Sequence, residues 1–67
     1  MNVGDYVVVE FEPNDVQAAV VCAVAQGKVE VNTEISLHSI ISRVEWVPET
    51  LCARYSKGTL ETLGLVA

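Results

Sequence analysis

The chain has 67 residues, nine of them acidic and four basic, and carries a net charge of −5. Hydrophobic residues make up 51% of the sequence, which excludes a disordered chain and predicts one small domain over residues 1–67. Four dispersed cations are too few to neutralise a row of phosphates, so the composition argues against nucleic-acid binding.

The sequence also shows no pattern typical of a membrane helix or a signal peptide. No apolar run reaches the roughly 18 residues of a membrane helix, and residues 1–15 have no basic stretch of the kind that begins a signal peptide. We therefore predict a cytoplasmic protein with no membrane partner. Cys22 and Cys52 each lie in an apolar stretch, which predicts two buried free thiols rather than a disulfide.

The first predicted element is a strand in GDYVVVEFEP (residues 4–13). Val7, Val9 and Phe11 fall on one face of this strand, and the alternation with the intervening residues has a period of two. The opposite face carries Tyr6, Val8, Glu10 and Glu12. Pro13, Asn14 and Asp15 then supply turn chemistry.

The dense apolar stretch over residues 16–26 has two interpretations. A helix would use Asp15 as its N-cap and Gly27 as its stop. Four valines favour a strand instead, because β-branched side chains are stiff at χ1, and a surface helix would need more polar residues than Gln17 alone. We predict a strand that is apolar on both faces and therefore central in the sheet. The alternative is an α+β domain with 16–26 helical.

Short strands follow this stretch. AQGKVEV (residues 25–31) predicts a tight hairpin, ISLHSII (residues 35–41) predicts a strand whose alternation slips near Ile40 and Ile41, and VEWV (residues 44–47) predicts another strand in which Val44 and Trp46 share a face. The whole pattern amounts to four or five strands joined by short turns.

The remaining residues, 48–67, predict a short helical tail. Pro48 suits a first helical turn, and Leu51, Cys52 and Tyr55 are spaced as on one face of a helix. We expect this helix to run from about Glu49 to Ser56 and to stop at Lys57-Gly58. The domain then divides into a β-rich barrel over 1–47 and the tail over 48–67.

The fold class predicted is mostly β, a small open barrel of four or five strands with a short C-terminal helix. By strand pattern alone, the GDYVVVEF opening and the AQGKVEV hairpin resemble the Tudor and KOW type of barrel. That resemblance concerns the fold, which hosts many functions, and so implies no particular activity.

Residue types for catalysis or metal binding are sparse. His38 is the only histidine, and Cys22 and Cys52 do not form a C-x-x-C pair, so neither a metal site nor a Cys–His nucleophile is indicated. The glycines are scattered, and a chain of this size leaves little room for a pocket of about 300 Å³. We expect no enzyme activity and no cofactor.

Three surfaces are candidates for binding another protein. One is the outer face of the first strand, with Trp46 beside it, where aromatic and acidic side chains suit a basic partner. The second is the apolar tail, which either covers the barrel end, docks on a partner or mediates self-association. The third is a sheet edge, which Lys28 and Glu30 would protect. The candidate residues on the first two surfaces are Tyr6, Glu10, Glu12, Asp15, Trp46, Leu60, Leu63 and Leu65.

The function predicted from these features is a non-enzymatic protein-interaction module, either a small acidic accessory subunit, an adaptor or an inhibitor. The alternative is a nucleic-acid-associated barrel, which the charge disfavours. A small enzyme or metal protein using Cys22, His38 or Cys52 is the third hypothesis.

Overall fold

A computed structural model describes residues 1–67 as a single antiparallel sheet with a short helix packed on its outside. The strands are β1 (Tyr6–Glu12), β2 (Asp15–Ala25), β3 (Lys28–Asn32), β4 (Val44–Pro48) and β5 (Cys52–Arg54). A single 3-10 turn, Glu49–Leu51, joins β4 to β5, and the helix α1 (Lys57–Thr62) follows. The mostly β fold class is thereby confirmed. No helix of the chain has the length and hydrophobicity needed to cross a membrane.

The strand order is β4-β3-β2-β1-β5, which puts β2 in the middle of the sheet. This confirms the strand interpretation of the dense apolar stretch and rules out the helical alternative. Ala19 and Val21 of β2 are buried on one face of the sheet, and Ala18 is buried on the other. Two-sided burial accounts for the lack of polar alternation in the middle of β2. Nearer its ends, Val16 is 39% exposed and Val24 is 46% exposed.

The sheet curls so strongly that its own strands bury its inner face. Seven side chains form this inner core: Val7, Val9, Ala19, Val21, Val29, Val31 and Val47. Only three residues link β4 to β5, although these strands lie on opposite edges of the sheet. In a flat sheet those edges would be about 19 Å apart, whereas the linker reaches at most about 14 Å. The edges therefore approach one another, but hydrogen bonds do not close the barrel.

Two β-bulges bend the strands where the curl requires it. The register of β1 and β2 shifts between Glu10 and Glu12, and that of β2 and β3 shifts between Val21 and Ala23. A bulge increases the local twist and turns the extra residue out of the regular alternation. The extra residue of the second bulge, Cys22, is consequently exposed, so the prediction that both cysteines are buried was wrong for Cys22.

The predicted helix from about Glu49 to Ser56 was wrong in position. Residues Cys52–Arg54 form β5 instead, because the free edge of β1 offers hydrogen-bond partners at Val7, Val8 and Val9. The helix begins later, where the Ser56 hydroxyl accepts a hydrogen bond from the Thr59 N–H at 3.1 Å. It ends at Thr62, and Gly64 just beyond has a φ of 74°, a left-handed conformation that glycine adopts without the steric cost of a Cβ.

The tail covers the outer face of β1 and β2 rather than the end of the barrel. Leu60 of α1, Ala18 and Val66 form a second buried cluster, the outer core. The N–H of Leu65 donates to the carbonyl of Leu60 at 3.0 Å, which folds the last residues back on the helix. Tyr6, Val8, Ile35 and Leu65 pack around this cluster. The tail therefore buries several of its apolar side chains against the outer face of the sheet.

The predicted strand at residues 35–41 was also wrong. Residues 33–43 form a long loop between β3 and β4, with one isolated bridge between Ser36 and Val66. Thr33 and Ser36 are buried polar residues in this loop, and their hydroxyl groups bond to Arg43 and Gln17. Side-chain hydrogen bonds of this kind hold a loop where a strand would need backbone pairing.

Candidate functional site

The most exposed apolar side chains of the chain lie at the tip of the β3–β4 loop. Ile40 is 98% exposed and Ile41 is 81% exposed, and Leu37 nearby is exposed as well. Single exposed hydrophobic residues are normal in soluble proteins. Adjacent isoleucines almost completely in water are not, because their burial on a partner would be favourable and their exposure gains the fold nothing.

The base of this loop is held firmly to the barrel. The backbone N–H of Thr33 donates to the carbonyl of Arg43 at 3.0 Å, and the N–H of Arg43 donates to the Thr33 hydroxyl at 3.1 Å. Further along the loop, the Leu37 N–H donates to the carbonyl of Leu65 at 3.0 Å, and the Ser36 hydroxyl donates to Gln17 Oε1 at 2.6 Å. The apolar tip is thus presented on a fixed base.

Arg43 makes a second connection between the loop and the barrel. Its guanidinium carbon lies 3.8 Å from the centroid of the Phe11 ring, and its Nη2 donates to Asp15 Oδ2 at 2.7 Å. Hydrogen bonds from Gln17 and then from Arg43 lower the pKa of the Asp15 carboxyl. The Asp15 carboxylate is thus already paired with Arg43 and hydrogen-bonded to Gln17, so it is not available to bind a basic partner.

The β4 edge follows directly after this loop. Val44 is 54% exposed and Trp46 is 48% exposed, and both side chains lie on the outer face of the sheet. Four exposed large apolar residues therefore occur within seven positions of one another, and we call residues 40–46 the exposed segment. Trp46 is exposed because it lies on the outer face of β4, whereas Val47 on the inner face is buried.

Two open depressions of about 400 and 420 Å³ flank the loop. The first lies between Tyr6, Leu37, Lys57 and Val66, and the second lies between Asp15, His38 and Arg43 with the isoleucines at its rim. Their volumes exceed the space expected for this chain length, because the long loop overhangs the barrel. Both are broad surface concavities, without a buried charged group pointing into them.

The predicted surface on the outer face of β1 is only partly available. Tyr6 is half-buried against the outer core, whereas Glu10 and Glu12 are exposed near the β1–β2 turn. Trp46 does not lie beside them, because β3 and β2 lie between β4 and β1 in the sheet. The structure therefore does not bring Tyr6, Glu10, Glu12 and Trp46 into one site.

The three candidate leucines of the tail have different environments. Leu60 is fully buried and Leu65 is half-buried in the outer core, so neither is presented to a partner. Leu63, at the end of α1, is 57% exposed. Lys28 and Glu30 do not guard an edge, since β3 is an interior strand between β2 and β4.

Groups that could act as nucleophiles or metal ligands are not assembled. Burial raises the pKa of the Cys52 thiol, and the nearby Glu49 carboxylate raises it further. Cys22 lies on the second bulge and His38 on the β3–β4 loop, both exposed. No three His, Cys, Asp or Glu side chains cluster at a distance suited to a metal ion.

The sequence-based candidates did not include Ile40, Ile41 and Val44, which the structure shows to be exposed. The signal was present as the break in alternation at Ile40-Ile41, which we assigned to a slip within a strand. An apolar pair that fits neither face of a strand is equally typical of a loop whose apolar residues face outward.

Comparisons with known proteins found no similar protein. No family model, no curated protein and no solved structure matches this chain.

Proposed function

We propose that this protein is a non-enzymatic protein-interaction module, a small acidic accessory subunit, adaptor or inhibitor that acts by binding another protein. The observation that carries the proposal is the exposed segment, in which Ile40, Ile41, Val44 and Trp46 are all accessible to solvent. Large apolar side chains exposed in one short segment are typical of interaction sites on soluble proteins, and tryptophan is enriched at binding hot spots.

The balance of buried and exposed apolar residues supports the same proposal. Eleven large hydrophobic side chains are exposed, whereas only ten hydrophobic residues are buried. A small domain is marginally stable, and burying part of this surface on a partner would add to its stability. The segment is also fixed at its base by Thr33 and Arg43, which lowers the entropy lost on binding.

Charge argues for protein over nucleic acid as the partner. Of the four cations, Arg43 is paired with Asp15, and Arg54 lies 3.9 Å from a carboxylate oxygen of Asp5. Lys28 and Lys57 are the two that have no ion pair, and one lies in β3 while the other begins α1. Nucleic-acid binding needs a cluster of cations facing the phosphates.

The test is affinity capture from an extract of the organism that encodes the protein. Wild-type protein is compared with the double variant Ile40→Ser/Ile41→Ser and with Leu63→Ser, which changes an exposed leucine outside the segment. Because these side chains are exposed, the substitutions should alter the free energy of unfolding by about 0.5 kcal/mol or less.

We expect wild type and Leu63→Ser to retain the same protein, and the double variant to lose it. Nuclease treatment should leave the capture unchanged. Retention that disappears with nuclease would instead favour the nucleic-acid alternative. If wild type retains no protein, or if the double variant retains it equally well, the proposed function is wrong.

A further inference from the structure

The backbone of β4 carries hydrogen-bonding groups that no part of the chain uses. In an antiparallel pair, residues that bond to the partner strand alternate with residues whose N–H and C=O point away. Thr33 bonds to Arg43 at one end of the β3–β4 ladder, and the N–H of Glu49 donates to the carbonyl of Gly27 at the other end. The register between these two points is regular, without a bulge.

The alternation identifies which residues face outward. Counting by twos from Arg43 to Glu49 assigns Glu45 and Val47 to the bonds with β3. The N–H and C=O groups of Val44 and Trp46 therefore point away from the sheet. No backbone hydrogen bond outside the strands and helices involves either residue. Pro48, also outward-facing, has no N–H, and its carbonyl accepts from the Cys52 thiol at 4.0 Å, where the β4 and β5 edges approach one another. The free edge is therefore limited to Val44 and Trp46.

The side chains of these residues are exposed apolar groups on the outer face. An incoming strand would pair with the outward backbone groups and pack its alternate side chains against Val44 and Trp46. Edge strands are normally protected by inward charges, bulges or a covering loop. The β4 edge has one such feature, Glu45, whose side chain lies on the inner face of the sheet, as Val47 does. It has no bulge, and its outer-face residues Val44 and Trp46 are apolar.

Charge around this edge selects the kind of strand. Glu30 lies opposite Trp46 in the neighbouring strand and shares its outer face, whereas the side chain of Glu45 lies on the inner face of the same edge. Neither acid takes part in an ion pair, and neither does Glu34 in the adjoining loop. Lys28 is the one unpaired cation of β3 and β4. A second copy of this chain, also at net charge −5, is disfavoured by the same acids.

We propose that the β4 edge accepts an extended, basic segment of a partner protein as an added sheet strand. A β-branched apolar residue of that segment lies beside Val44, and a Lys or Arg two positions away lies beside Trp46, where the indole face and Glu30 both favour a cation. This inference rests on the proposed function and specifies how the exposed segment binds.

The probe is a random library of linear peptides, selected on the immobilised full chain. We expect enrichment of peptides in which Lys or Arg alternates with Val, Ile or Thr. In the complex of wild type with such a peptide, amide hydrogen exchange should slow at Val44 and Trp46. It should change little at Glu45 and Val47, which already bond to β3. This alternating pattern is specific to strand addition.

A pair of variants at one position separates backbone from side chain. Val44→Pro removes an outward N–H without touching the β3 ladder, whereas Val44→Ala shortens the same side chain and keeps the N–H. We expect peptide affinity to fall by about tenfold in the proline variant, the loss of one hydrogen bond, and by about threefold or less in the alanine variant. The exchange pattern in wild type decides the question if Val44→Pro does not fold.

Four results of the peptide-binding and exchange experiments would overturn the inference. The selection could enrich no peptide, or it could enrich peptides without basic residues. The exchange experiment could show protection at amides other than those of Val44 and Trp46. Val44→Pro and Val44→Ala could bind the selected peptide equally well. If no peptide is enriched but the partner is still captured through Ile40 and Ile41, strand addition is wrong and the proposed function stands. A dimer seen by light scattering and lost in Val44→Pro would assign the edge to self-association instead.

Discussion

Replacing Leu60 with alanine should destabilise the protein far more than any other change in the tail. Leu60 is fully buried and is the only large residue from α1 in the outer core, where it contacts Ala18 and Val66. The substitution removes apolar contacts and leaves a cavity that the surrounding residues fill only in part.

The size of the effect follows from the position of the cluster. Buried Leu→Ala changes cost about 2–5 kcal/mol. The outer core lies near the surface, and half-buried Tyr6 and Ile35 at its border have room to move inward, so we expect about 2–3 kcal/mol. A domain of this length has a total free energy of unfolding of roughly 3–10 kcal/mol. One side chain of a six-residue helix therefore supplies a large share of the stability.

Equilibrium unfolding in urea, followed by circular dichroism, measures the change. With an m-value of about 1 kcal/mol/M, the midpoint should fall by about 2–3 M, and the melting temperature by roughly 10–20 °C. The matched control is Leu63→Ala, three positions along the same tail and exposed, which should change the free energy of unfolding by about 0.5 kcal/mol or less. Equal stabilities of the two variants would refute the packing of α1 on β2.

Three further predictions concern backbone, charge and thiol chemistry. Gly58→Ala, in open space within α1, should stabilise by about 0.4–1 kcal/mol, whereas Gly27→Ala at a φ of 73° should destabilise by about 1–2 kcal/mol in the same thermal melts. Because the folded-state pKa of Asp15 is lowered, its contribution is present above the unfolded value of 3.8 and is lost as pH falls through the folded value. Asp15→Asn should therefore destabilise at neutral pH, with a smaller difference from wild type near pH 2 in urea titrations. Iodoacetamide should modify exposed Cys22 before Cys52, and mass spectrometry of digests showing the reverse order would contradict the bulge.

Local alternation predicted the first half of the chain well, since there it coincides with burial. Val7 and Val9 lie in the inner core as the period-two pattern indicated, and Phe11 packs against it. The dense stretch around Val21 forms the central strand, and its middle, where Ala18 and Ala19 are buried on opposite faces, has the two-sided burial that the apolar sequence indicated. These features could be predicted because they follow from the alternation of neighbouring residues along a strand.

The local sequence pattern did not predict the secondary structure where a segment is hydrogen-bonded to residues far away in the sequence. Cys52 has the spacing of a helical stripe, but it lies in β5 because the free edge of β1 is close enough to pair with it. The predicted strand around Ser36 became a loop because Gln17 and Val66 bind it from elsewhere in the chain. Competition between local propensity and long-range pairing decided both cases, and one sequence does not display its long-range pairs.

The candidate site shows the same division. The sequence by itself determined that the chain is acidic, has few cations, lacks grouped metal ligands and consists of 51% hydrophobic residues. Only the tertiary structure decided which of those residues are left outside. Leu60 is enclosed by β2 and the end of the tail, while Ile40 and Trp46 are exposed. Burial depends on which surfaces the sheet curl brings together, and that curl is a property of the whole chain.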